Sequence, residues 1–571
     1  MTQPTRHEPS DVLIIGAGPV GLSLANLLGM QGVSVTVLEA LDRLIDYPRG
    51  VGIDDESLRS LQTMGLVDLA LPYTTPNHAM RLVNGRGRII AEIAPSITEF
   101  GWSRRNAFIQ PEVDRVLFEG LERFDHVRVR FATSAHTFEE DGDGVRVLAD
   151  GPDGPEEFRA AYLVGTDGGR SAVRKHLGVS FDGQSPSTRW LVVDVRNDPL
   201  GTPNIELGGD PRRPYVSLGL PQSVRRFEFM LFPGEPDELV DDDAFVAGLI
   251  APHVSHPASL DIVRKRVYTH HSRIAGSFRS GRILIAGDAA HLMPVWQGQG
   301  WNSGERDATN LAWKLGAVIR GLADDGILDS YTSERHAHAK AMIDLSTAFG
   351  RVVKPTNPIV VAARDAAAAV LNLSPKAKAY FVQMKYKPMP RYERGVVVDA
   401  STFAAGTSTA EIARRVVAQR SAKSRVSPVG TQFFQPRVLD AEGREVLLDD
   451  AIGYRWAVIQ WGGDPERLFT AAQRAVLARL GARLVSIRPV DQCRIEAPSD
   501  PDAIVLADHT GDVKRWFDER PTPVLFLRPD RFVAAASIAQ DAGRALGALT
   551  EAMHLVPVPA MVAGERVGTA S

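Results

Sequence analysis

The chain has 571 residues, of which 44% are hydrophobic and 23% are charged, so it is long enough for roughly two to four domains with sizeable cores. Its formal net charge of −4 provides no electrostatic reason to expect binding to nucleic acid or to an anionic membrane. The N-terminus lacks the apolar core of a signal peptide and no run reaches the ~18 apolar residues of a membrane span, so we expect a cytoplasmic protein. The single cysteine, Cys493, excludes an internal disulfide and a CxxC redox pair.

The first predicted unit is a strand, a glycine-rich turn and a helix. The apolar run DVLII at 11–15 predicts a buried strand, and GAGPVG at 16–21 follows it directly. In such a turn Gly16 begins the tight bend, Gly18 leaves room for a pyrophosphate, and Gly21 lets the helix pack closely on its strand. The phosphates are expected at the helix N-terminus, which favours anions.

A second predicted strand supports this interpretation. Residues 33–38 are apolar at alternate positions and end before Glu39, where a carboxylate is placed to accept hydrogen bonds from an adenosine ribose. A lone GxGxxG is often only a glycine-rich turn. Strand, turn, helix, second strand and Glu39 in this order predict a dinucleotide site.

A later fragment indicates which dinucleotide is bound. The strand predicted at 283–286 is followed by Gly287 and Asp288, whose carboxylate is placed to hold the hydroxyls of a ribityl chain. FAD has a ribityl chain and NAD does not. The alternative is that Asp288 is a helix cap or a turn residue.

The segment after Asp288 predicts a helix that points its N-terminus at the flavin. Apolar residues from 308 to 322 recur at helical spacing, and free N–H groups at the start of such a helix would stabilise negative charge on reduced flavin. The candidate flavin-side residues before and at its start are Pro294, Gly298, Gly300 and Asn302.

The GxGxxG turn, the Asp-Gly motif TDGGR at 166–170 and the Gly-Asp motif at 287–288 resemble the single-component, FAD-dependent aromatic hydroxylases of the p-hydroxybenzoate hydroxylase fold. This resemblance covers roughly residues 10–400. Longer strings resemble the branch of the family that acts on 3-hydroxyphenylpropanoid acids, and they extend it into the C-terminal region: 44–49, 104–111, 293–300, 389–390 and 528–532.

The resemblance implies an α/β fold with a Rossmann-like FAD domain, an inserted antiparallel substrate-binding sheet and a C-terminal thioredoxin-like α/β domain. The runs at 189–195, 215–220 and 225–232, two of them with alternating apolar residues, independently predict strands of that sheet. Without a cysteine pair, the C-terminal domain is expected to serve dimerisation or packing rather than redox chemistry, and a homodimer is one assembly consistent with this. The expected boundaries are 10–75, 105–185 and 280–350 for the FAD domain, 76–104 and 186–279 for the substrate domain, 351–424 for a helical connection and 425–571 for the C-terminal domain.

Only one dinucleotide signature is found, so NADH or NADPH is expected to visit the flavin transiently. The resemblance implies that a flavin C4a-hydroperoxide, formed with O2, hydroxylates a small aromatic acid ortho to its phenol. The implied substrate is 3-(3-hydroxyphenyl)propionate or 3-hydroxycinnamate, and the implied product is the 2,3-dihydroxy acid of aromatic catabolism. We take NADH rather than NADPH as the expected donor, although no sequence motif distinguishes them. The alternatives left open are a hydroxylase of another phenol and a flavin-binding sensor or assembly protein without turnover.

The resemblance also assigns cofactor contacts outside the glycine motifs. Arg49 matches an arginine near the pyrophosphate, and Gln110 matches a residue on the flavin side of the site. Asp167 and Arg170 belong to the middle motif, which the family links to both FAD and nicotinamide. An ordinary Asp-Gly turn is the alternative for that motif.

The candidate catalytic residues lie on the strand before the Gly-Asp motif. Arg266 and Tyr268 match an Arg-x-Tyr pair that contacts the substrate phenol in phenol hydroxylase relatives. Those relatives have an aspartate near Val51, and the valine here puts their acid–base relay in doubt. The pKa of an imidazole, about 6.5, suits proton transfer, but adjacent strand residues face opposite sides, so at most one of His270 and His271 faces the cavity. We take His270 as the candidate, with a structural histidine as the alternative; no metal ligand set is predicted.

The acid side chain of such a substrate needs a cationic or multiply hydrogen-bonding partner, because an unpaired buried carboxylate is costly. Two consecutive strand arginines cannot both face the pocket. The candidates on the substrate sheet and its approach are Arg104, Arg105, Arg189, Arg213, Arg225 and Arg226.

Overall fold

The computed structural model describes residues 4–47, 49–399, 427–492, 500–520 and 522–557; Cys493 and most of the second half of the predicted helical connection lie outside them. The strands, numbered in chain order, are β1 (Thr5–Arg6), β2 (Ser10–Ile15), β3 (Val35–Leu38), β4 (Gly52–Asp54), β5 (Thr74–Thr75), β6 (Met80–Asn84), β7 (Ile89–Ile93), β8 (Arg105–Phe108), β9 (Val127–Arg130), β10 (Ser134–Glu140), β11 (Val145–Gly151), β12 (Gly154–Gly165), β13 (Phe181–Gln184), β14 (Arg189–Arg196), β15 (Ile205–Gly209), β16 (Tyr215–Leu220), β17 (Val224–Leu231), β18 (Asp261–Thr269), β19 (Ser272–Ala275), β20 (Arg279–Ser280), β21 (Ile283–Ile285), β22 (His291–Leu292), β23 (Arg437–Leu439), β24 (Glu445–Leu447), β25 (Ala457–Trp461), β26 (Arg483–Pro489), β27 (Ala503–Asp508), β28 (Val524–Leu527) and β29 (Val533–Ser537).

The α-helices of the described residues are α1 (Pro19–Gly29), α2 (Asp55–Thr63), α3 (Val67–Ala70), α4 (Gln110–Glu119), α5 (Ala172–Leu177), α6 (Asp243–Ile250), α7 (Gly300–Ile319), α8 (Asp329–Val353), α9 (Pro358–Asn372), α10 (Pro375–Val382), α11 (Leu448–Ile452), α12 (Ala471–Arg479), α13 (Asp512–Asp518) and α14 (Ala542–Ala552). Among them, none combines the length and the apolar character needed to cross a bilayer.

The largest sheet contains a Rossmann-like parallel core. Strands β21, β12, β2, β3 and β9 lie side by side in that order and are all parallel. The apolar runs predicted as strands form its centre because residues such as Val12, Leu13 and Ile14 are buried on both faces. Helices α1 and α7 pack against one another in the same hydrophobic core.

A second sheet has seven strands in the order β18-β14-β17-β16-β15-β6-β7, and every pairing is antiparallel except that of β15 with β6. Its two faces are buried against different partners. One face packs with Ala107 of β8, with Ile109 and with Trp296. The other face packs with helix α6 through Val246 and Ile250. The first of these faces, with the side chains packed on it, is called the aromatic pocket below.

The C-terminal sheet has the order β24-β23-β27-β26-β25-β28-β29. Strands β25, β26 and β27 are parallel, β28 and β29 continue the sheet as an antiparallel hairpin, and α14 follows. This mixed sheet, beside the parallel sheet and the antiparallel one, confirms the predicted fold class.

A buried ion network joins the C-terminal sheet to the parallel-sheet domain. Arg528 donates to both oxygens of Glu334 at 2.8 Å, and Lys314 donates to Glu334 at 2.7 Å. All three side chains have no exposed area. Burial alone would raise the pKa of Glu334, but Arg528 and Lys314 lower it to about 2. The 528–532 string that resembles the family therefore has a packing role here.

Candidate functional site

Three loops meet at one edge of the parallel sheet. They follow β2, β12 and β21, and each of these strands ends at the same level because Gly165 is paired with both Ile15 and Ile285. The loops carry the GxGxxG, Asp-Gly and Gly-Asp motifs. The carboxyl ends of parallel strands are where ligands bind in open α/β sheets, so the fold assembles the three motifs into one cleft.

The first loop requires glycine at two positions for steric reasons. Gly16 has φ +106°, and a Cβ at Gly21 would lie 2.1 Å from the carbonyl oxygen of Gly16. Gly18 differs, because a Cβ there would meet no atom within 4 Å. No described side chain caps the first turn of α1. Open space beside uncapped N–H groups fits the pyrophosphate of FAD.

Glu39 lies at the end of β3 and is bound to this loop. Its Oε2 accepts a hydrogen bond from the amide of Ala17 at 2.8 Å, and its Oε1 accepts one from Leu41 at 2.9 Å. Each carboxylate oxygen can accept two hydrogen bonds, so both retain a lone pair for a ribose hydroxyl.

The structure brings Arg49 and Asp288 together. The guanidinium of Arg49 lies 3.2 Å from Asp288 Oδ2, and both side chains are partly exposed in the cleft. Gln110 positions the loop that carries Arg49, because its Oε1 accepts from the amides of Arg49 and Gly50 while its Nε2 donates to Asp114. The cation predicted for the pyrophosphate and the carboxylate predicted for the ribityl chain are thus adjacent.

Asp307, on α7, is a positioning residue that the sequence analysis missed. It accepts hydrogen bonds from the amide of Gly287 at 3.0 Å, from His291 at 2.7 Å and from Arg335 at 2.8 Å. Burial opposes its charge, but His291 and Arg335 lower the pKa of Asp307 to about 2. No local pattern marks Asp307 in the sequence, because it follows Glu305 and Arg306 in a polar run of α7.

Other predicted cofactor residues have protein partners of their own. Asp167 accepts from the amides of Ala172 and Val173 and so caps helix α5, as an Asp-Gly turn would. The amide of Asn302 makes four protein hydrogen bonds, which leaves its backbone for any flavin contact. Arg170 is exposed.

Three further predicted residues border the start of α7. Pro294 precedes the tight turn before this helix, Gly298 ends that turn with φ +62°, and α7 begins at Gly300. No described side chain caps the first turn of α7. The contacts of these residues with FAD stay a prediction.

The aromatic pocket contains the predicted catalytic strand. Trp190 stacks on His270 with ring centroids 5.7 Å apart, and the edge of Trp296 contacts both rings. Tyr268 packs against the same cluster, and so does Val51, the valine found where relatives have an aspartate. The pocket is therefore apolar at that position.

A carboxylate reaches Tyr268 from another strand. The Tyr268 hydroxyl donates to Glu228 Oε2 at 2.7 Å, and His270 Nε2 lies 3.2 Å from the same hydroxyl. Burial raises the pKa of Glu228, offset in part by Arg226, and it raises the pKa of Tyr268 further above 10. Burial lowers the pKa of His270 to about 3, so this imidazole is neutral near pH 7. Glu228 was missed because its partner is 40 residues away in sequence.

Arg266 and His271 differ from Tyr268 in exposure and in hydrogen-bond partners. Arg266 is exposed, two residues before Tyr268 on the same side of β18. His271 bonds to Ser185, whereas His270 lies in the aromatic pocket. Their contacts with substrate are not given by the structure, and their assignment stays a prediction.

Comparisons with known proteins identify the family of the chain. Residues 9–346 match the family described as FAD binding domain, and residues 430–552 match the family described as HcaD C-terminal domain. A relative from Mycolicibacterium smegmatis, named 3-(3-hydroxy-phenyl)propionate/3-hydroxycinnamic acid hydroxylase, is 51% identical over 95% of this chain and 93% of its own length.

Solved structures share the whole architecture. OxyS anhydrotetracycline hydroxylase from Streptomyces rimosus is 25% identical, with a TM-score of 0.74 over 96% of this chain and 100% of its own. Aklavinone-11 hydroxylase in complex with FAD and aklavinone is 24% identical, with a TM-score of 0.75 over 96% and 99%. The chain belongs to the family of FAD-dependent aromatic hydroxylases, and it is a flavin monooxygenase.

Proposed function

We propose that this enzyme hydroxylates 3-(3-hydroxyphenyl)propionate or 3-hydroxycinnamate ortho to the phenol. The phenol, O2, NADH or NADPH and one proton give the 2,3-dihydroxy acid, NAD⁺ or NADP⁺ and water. The observation that carries the proposal is the Tyr268–Glu228 hydrogen bond inside an apolar aromatic pocket. Relatives about half identical over nearly the whole chain are named for this reaction, which supports the choice of substrate.

The cleft residues fit FAD. The open space at Gly18 would take the pyrophosphate, Glu39 the ribose, and Asp288 the ribityl hydroxyls. The chemistry that FAD supplies when bound is electron transfer from NADH or NADPH and delivery of one oxygen atom of O2 to the ring.

The protein's part is to make the phenol electron-rich. Tyr268 donates its proton to Glu228, so its oxygen is free to accept the proton of the substrate phenol. Movement of both protons along this chain leaves phenolate character on the substrate and a protonated Glu228. His270 is neutral, and its Nε2 lies close enough to hold the Tyr268 hydroxyl in place.

The aromatic pocket also excludes water. Trp190 is fully buried and Trp296 nearly so, and their rings enclose His270. Dry surroundings strengthen the hydrogen bonds at Tyr268 and protect the oxygen transfer from hydrolysis.

The test is a substrate panel on the FAD-loaded enzyme. The panel contains 3-(3-hydroxyphenyl)propionate, 3-hydroxycinnamate, 3-hydroxybenzoate and phenol, each with NADH and with NADPH. Nicotinamide oxidation, O2 uptake, hydrogen peroxide and the product's substitution pattern are measured. A 2,3-dihydroxy product in near-equal amount to nicotinamide consumed, for the two propanoid acids only, is expected.

Three results would redirect the proposal. Faster turnover of phenol than of either acid favours the related phenol hydroxylase. Hydroxylation para to the phenol contradicts the ortho assignment. FAD binding without substrate-stimulated nicotinamide oxidation favours a sensor or assembly role.

Light scattering on the same preparation tests the homodimer, and fractionation of the source cells tests the cytoplasmic assignment.

A further inference from the structure

Six arginines are candidates for the acid side chain of the substrate, and five of them are neutralised within the protein. Each of the five forms an ion pair with one or two carboxylates, and these pairs leave no full charge for a ligand. They are Arg104 with Asp55 and Glu99, Arg189 with Asp237, Arg213 with Glu235, Arg225 with Asp198, and Arg226 with Asp194.

Arg105 differs from the other five. It is 7% exposed, and among the described residues no carboxylate forms an ion pair with it. Its Nε is buried and makes no hydrogen bond in that part of the chain. Burial lowers the pKa of Arg105 to about 10, which still leaves it charged at pH 7. A buried, charged and unpaired guanidinium is costly for a folded protein unless something else binds it.

Arg105 points toward the aromatic pocket. It is the first residue of β8, and side chains at alternate positions share a face, so Arg105 lies on the side of Ala107 and Ile109. Both of these residues pack in the pocket with Trp190 and Tyr268. The guanidinium is therefore on the face of β8 that borders the proposed phenol site.

A second unpaired donor lies beside Arg105. Tyr386 packs against the aromatic pocket, and it is the group whose charge interaction acts on Arg105. Its hydroxyl is buried and has no hydrogen-bond partner among the described residues. Burial raises the pKa of Tyr386, so the hydroxyl keeps its proton and is a donor. One acceptor with two oxygens would satisfy both groups.

We propose that Arg105 and Tyr386 bind the carboxylate of the substrate side chain while the phenol lies at Tyr268. This inference rests on the proposed function and names the residues that select an acid. The preference for propanoid acids over neutral phenols then comes from two donors that stay unpaired until the substrate arrives.

The test uses FAD-loaded enzyme titrated with 3-(3-hydroxyphenyl)propionate and with 3-ethylphenol, followed by the change in flavin absorbance. The unaltered enzyme should bind the acid about 10- to 150-fold more tightly than the neutral phenol, as expected for a charge-assisted contact. Arg105→Met should weaken acid binding by most of that factor and leave 3-ethylphenol within about twofold. Tyr386→Phe should remove a smaller part, and the matched control Arg213→Met should keep the preference.

A stability measurement separates binding from a structural role. Without ligand, Arg105→Met should melt at or above the temperature of the unaltered enzyme, because it removes an unpaired buried charge. A large drop in melting temperature would indicate a structural partner for Arg105 and contradict the assignment. If this variant does not fold, Tyr386→Phe and the methyl ester of the acid, tested on the unaltered enzyme, still decide the question.

The outcomes for the two proposals differ. If the unaltered enzyme converts the acid to its catechol but Arg105→Met keeps the full preference for acid, Arg105 is not the anchor and the proposed function stands. If the methyl ester binds the unaltered enzyme as tightly as the acid, no carboxylate is recognised. If the unaltered enzyme hydroxylates 3-ethylphenol and not the acid, the proposed function is wrong and the anchor with it.

Discussion

Replacing Glu228 with glutamine removes the charge that accepts the Tyr268 hydrogen bond and keeps the size of the side chain. The amide still accepts one hydrogen bond, but it cannot take the proton that leaves the phenol. We expect Glu228→Gln to bind FAD and substrate, to reduce the flavin at close to the normal rate, and to lose hydroxylation. Stability should not fall, because a neutral side chain is less costly to bury than the carboxylate whose pKa burial raises.

The magnitude follows from the buried geometry. A positioned proton acceptor contributes about 10²- to 10⁴-fold to a rate, and Glu228 is 5% exposed with its partner oxygen at 2.7 Å. We therefore expect product formation to fall at least about 100-fold in Glu228→Gln. The flavin reduction step makes no use of Glu228, so its rate should change by less than about threefold, which corresponds to roughly 0.7 kcal/mol.

The assay is the ratio of product to nicotinamide consumed, with hydrogen peroxide measured in parallel. Glu206→Gln is the matched control, because Glu206 lies next to two pocket residues of β15 and is carried on the opposite face of the same sheet. The ratio should collapse for Glu228→Gln and stay unchanged for Glu206→Gln. In the unaltered enzyme it should also fall as pH drops through the raised pKa of Glu228, at a pH above the usual glutamate value of about 4.3. An unchanged ratio in Glu228→Gln would refute the relay.

Three further substitutions test the tyrosine of the Tyr268–Glu228 proton relay, the FAD site and the buried ion network around Glu334. Tyr268→Phe should keep FAD and fold but divert reducing equivalents to peroxide; coupling equal to that of the unaltered enzyme would remove Tyr268 from the site. Asp288→Ala should weaken FAD retention, measured by fluorescence during dialysis, and equal retention would contradict the ribityl role. Glu334→Gln should lower the free energy of unfolding by about 3–5 kcal/mol, because Lys314 stays buried without an ion-pair partner among the described residues and Arg528 keeps only Asp530. The pKa of Glu334 is lowered to about 2, so the stability that its charge contributes should be complete above the unfolded pKa of about 4.3. That stability should be lost as the pH falls from about 4.3 to 2. A denaturant midpoint that stays constant over that range would contradict the assignment.

The parts of the fold that depend on local backbone were predictable from the sequence. The turn at Gly16 needs a positive φ, and the run before it is buried on both faces, so local pattern alone predicts strand and turn. Boundaries shifted by one or two residues: the strand expected from 33 begins at Val35, and the one expected at 225–232 is Val224–Leu231. The spacing from Gly21 to Glu39 was also informative, because the helix and strand between these two residues set where a ribose-binding carboxylate lies.

The polar groups of the aromatic pocket were not predictable in the same way. Tyr268 was found through a resemblance of sequence, but its acceptor Glu228 is on another strand, and only the pairing of β14 with both β17 and β18 brings them together. Arg105 looked no different from Arg104 beside it. The difference is the absence of a neighbouring acid in the described structure, which depends on long-range packing and leaves no trace in spacing.

The register of the substrate sheet sets the chemistry of the aromatic pocket, and Arg226 explains how the register is held. Asp194 on β14 lies directly opposite Arg226 on β17, and the pair is buried with contacts of 2.7 and 3.0 Å. A slip of one residue would turn Glu228 to the other face, away from Tyr268, and would separate this ion pair in a buried setting. Arg226 also lowers the pKa of Glu228, which favours the carboxylate that the relay needs. An arginine first considered for the substrate's acid group therefore acts on the phenol end instead, by fixing the strand and the charge of Glu228.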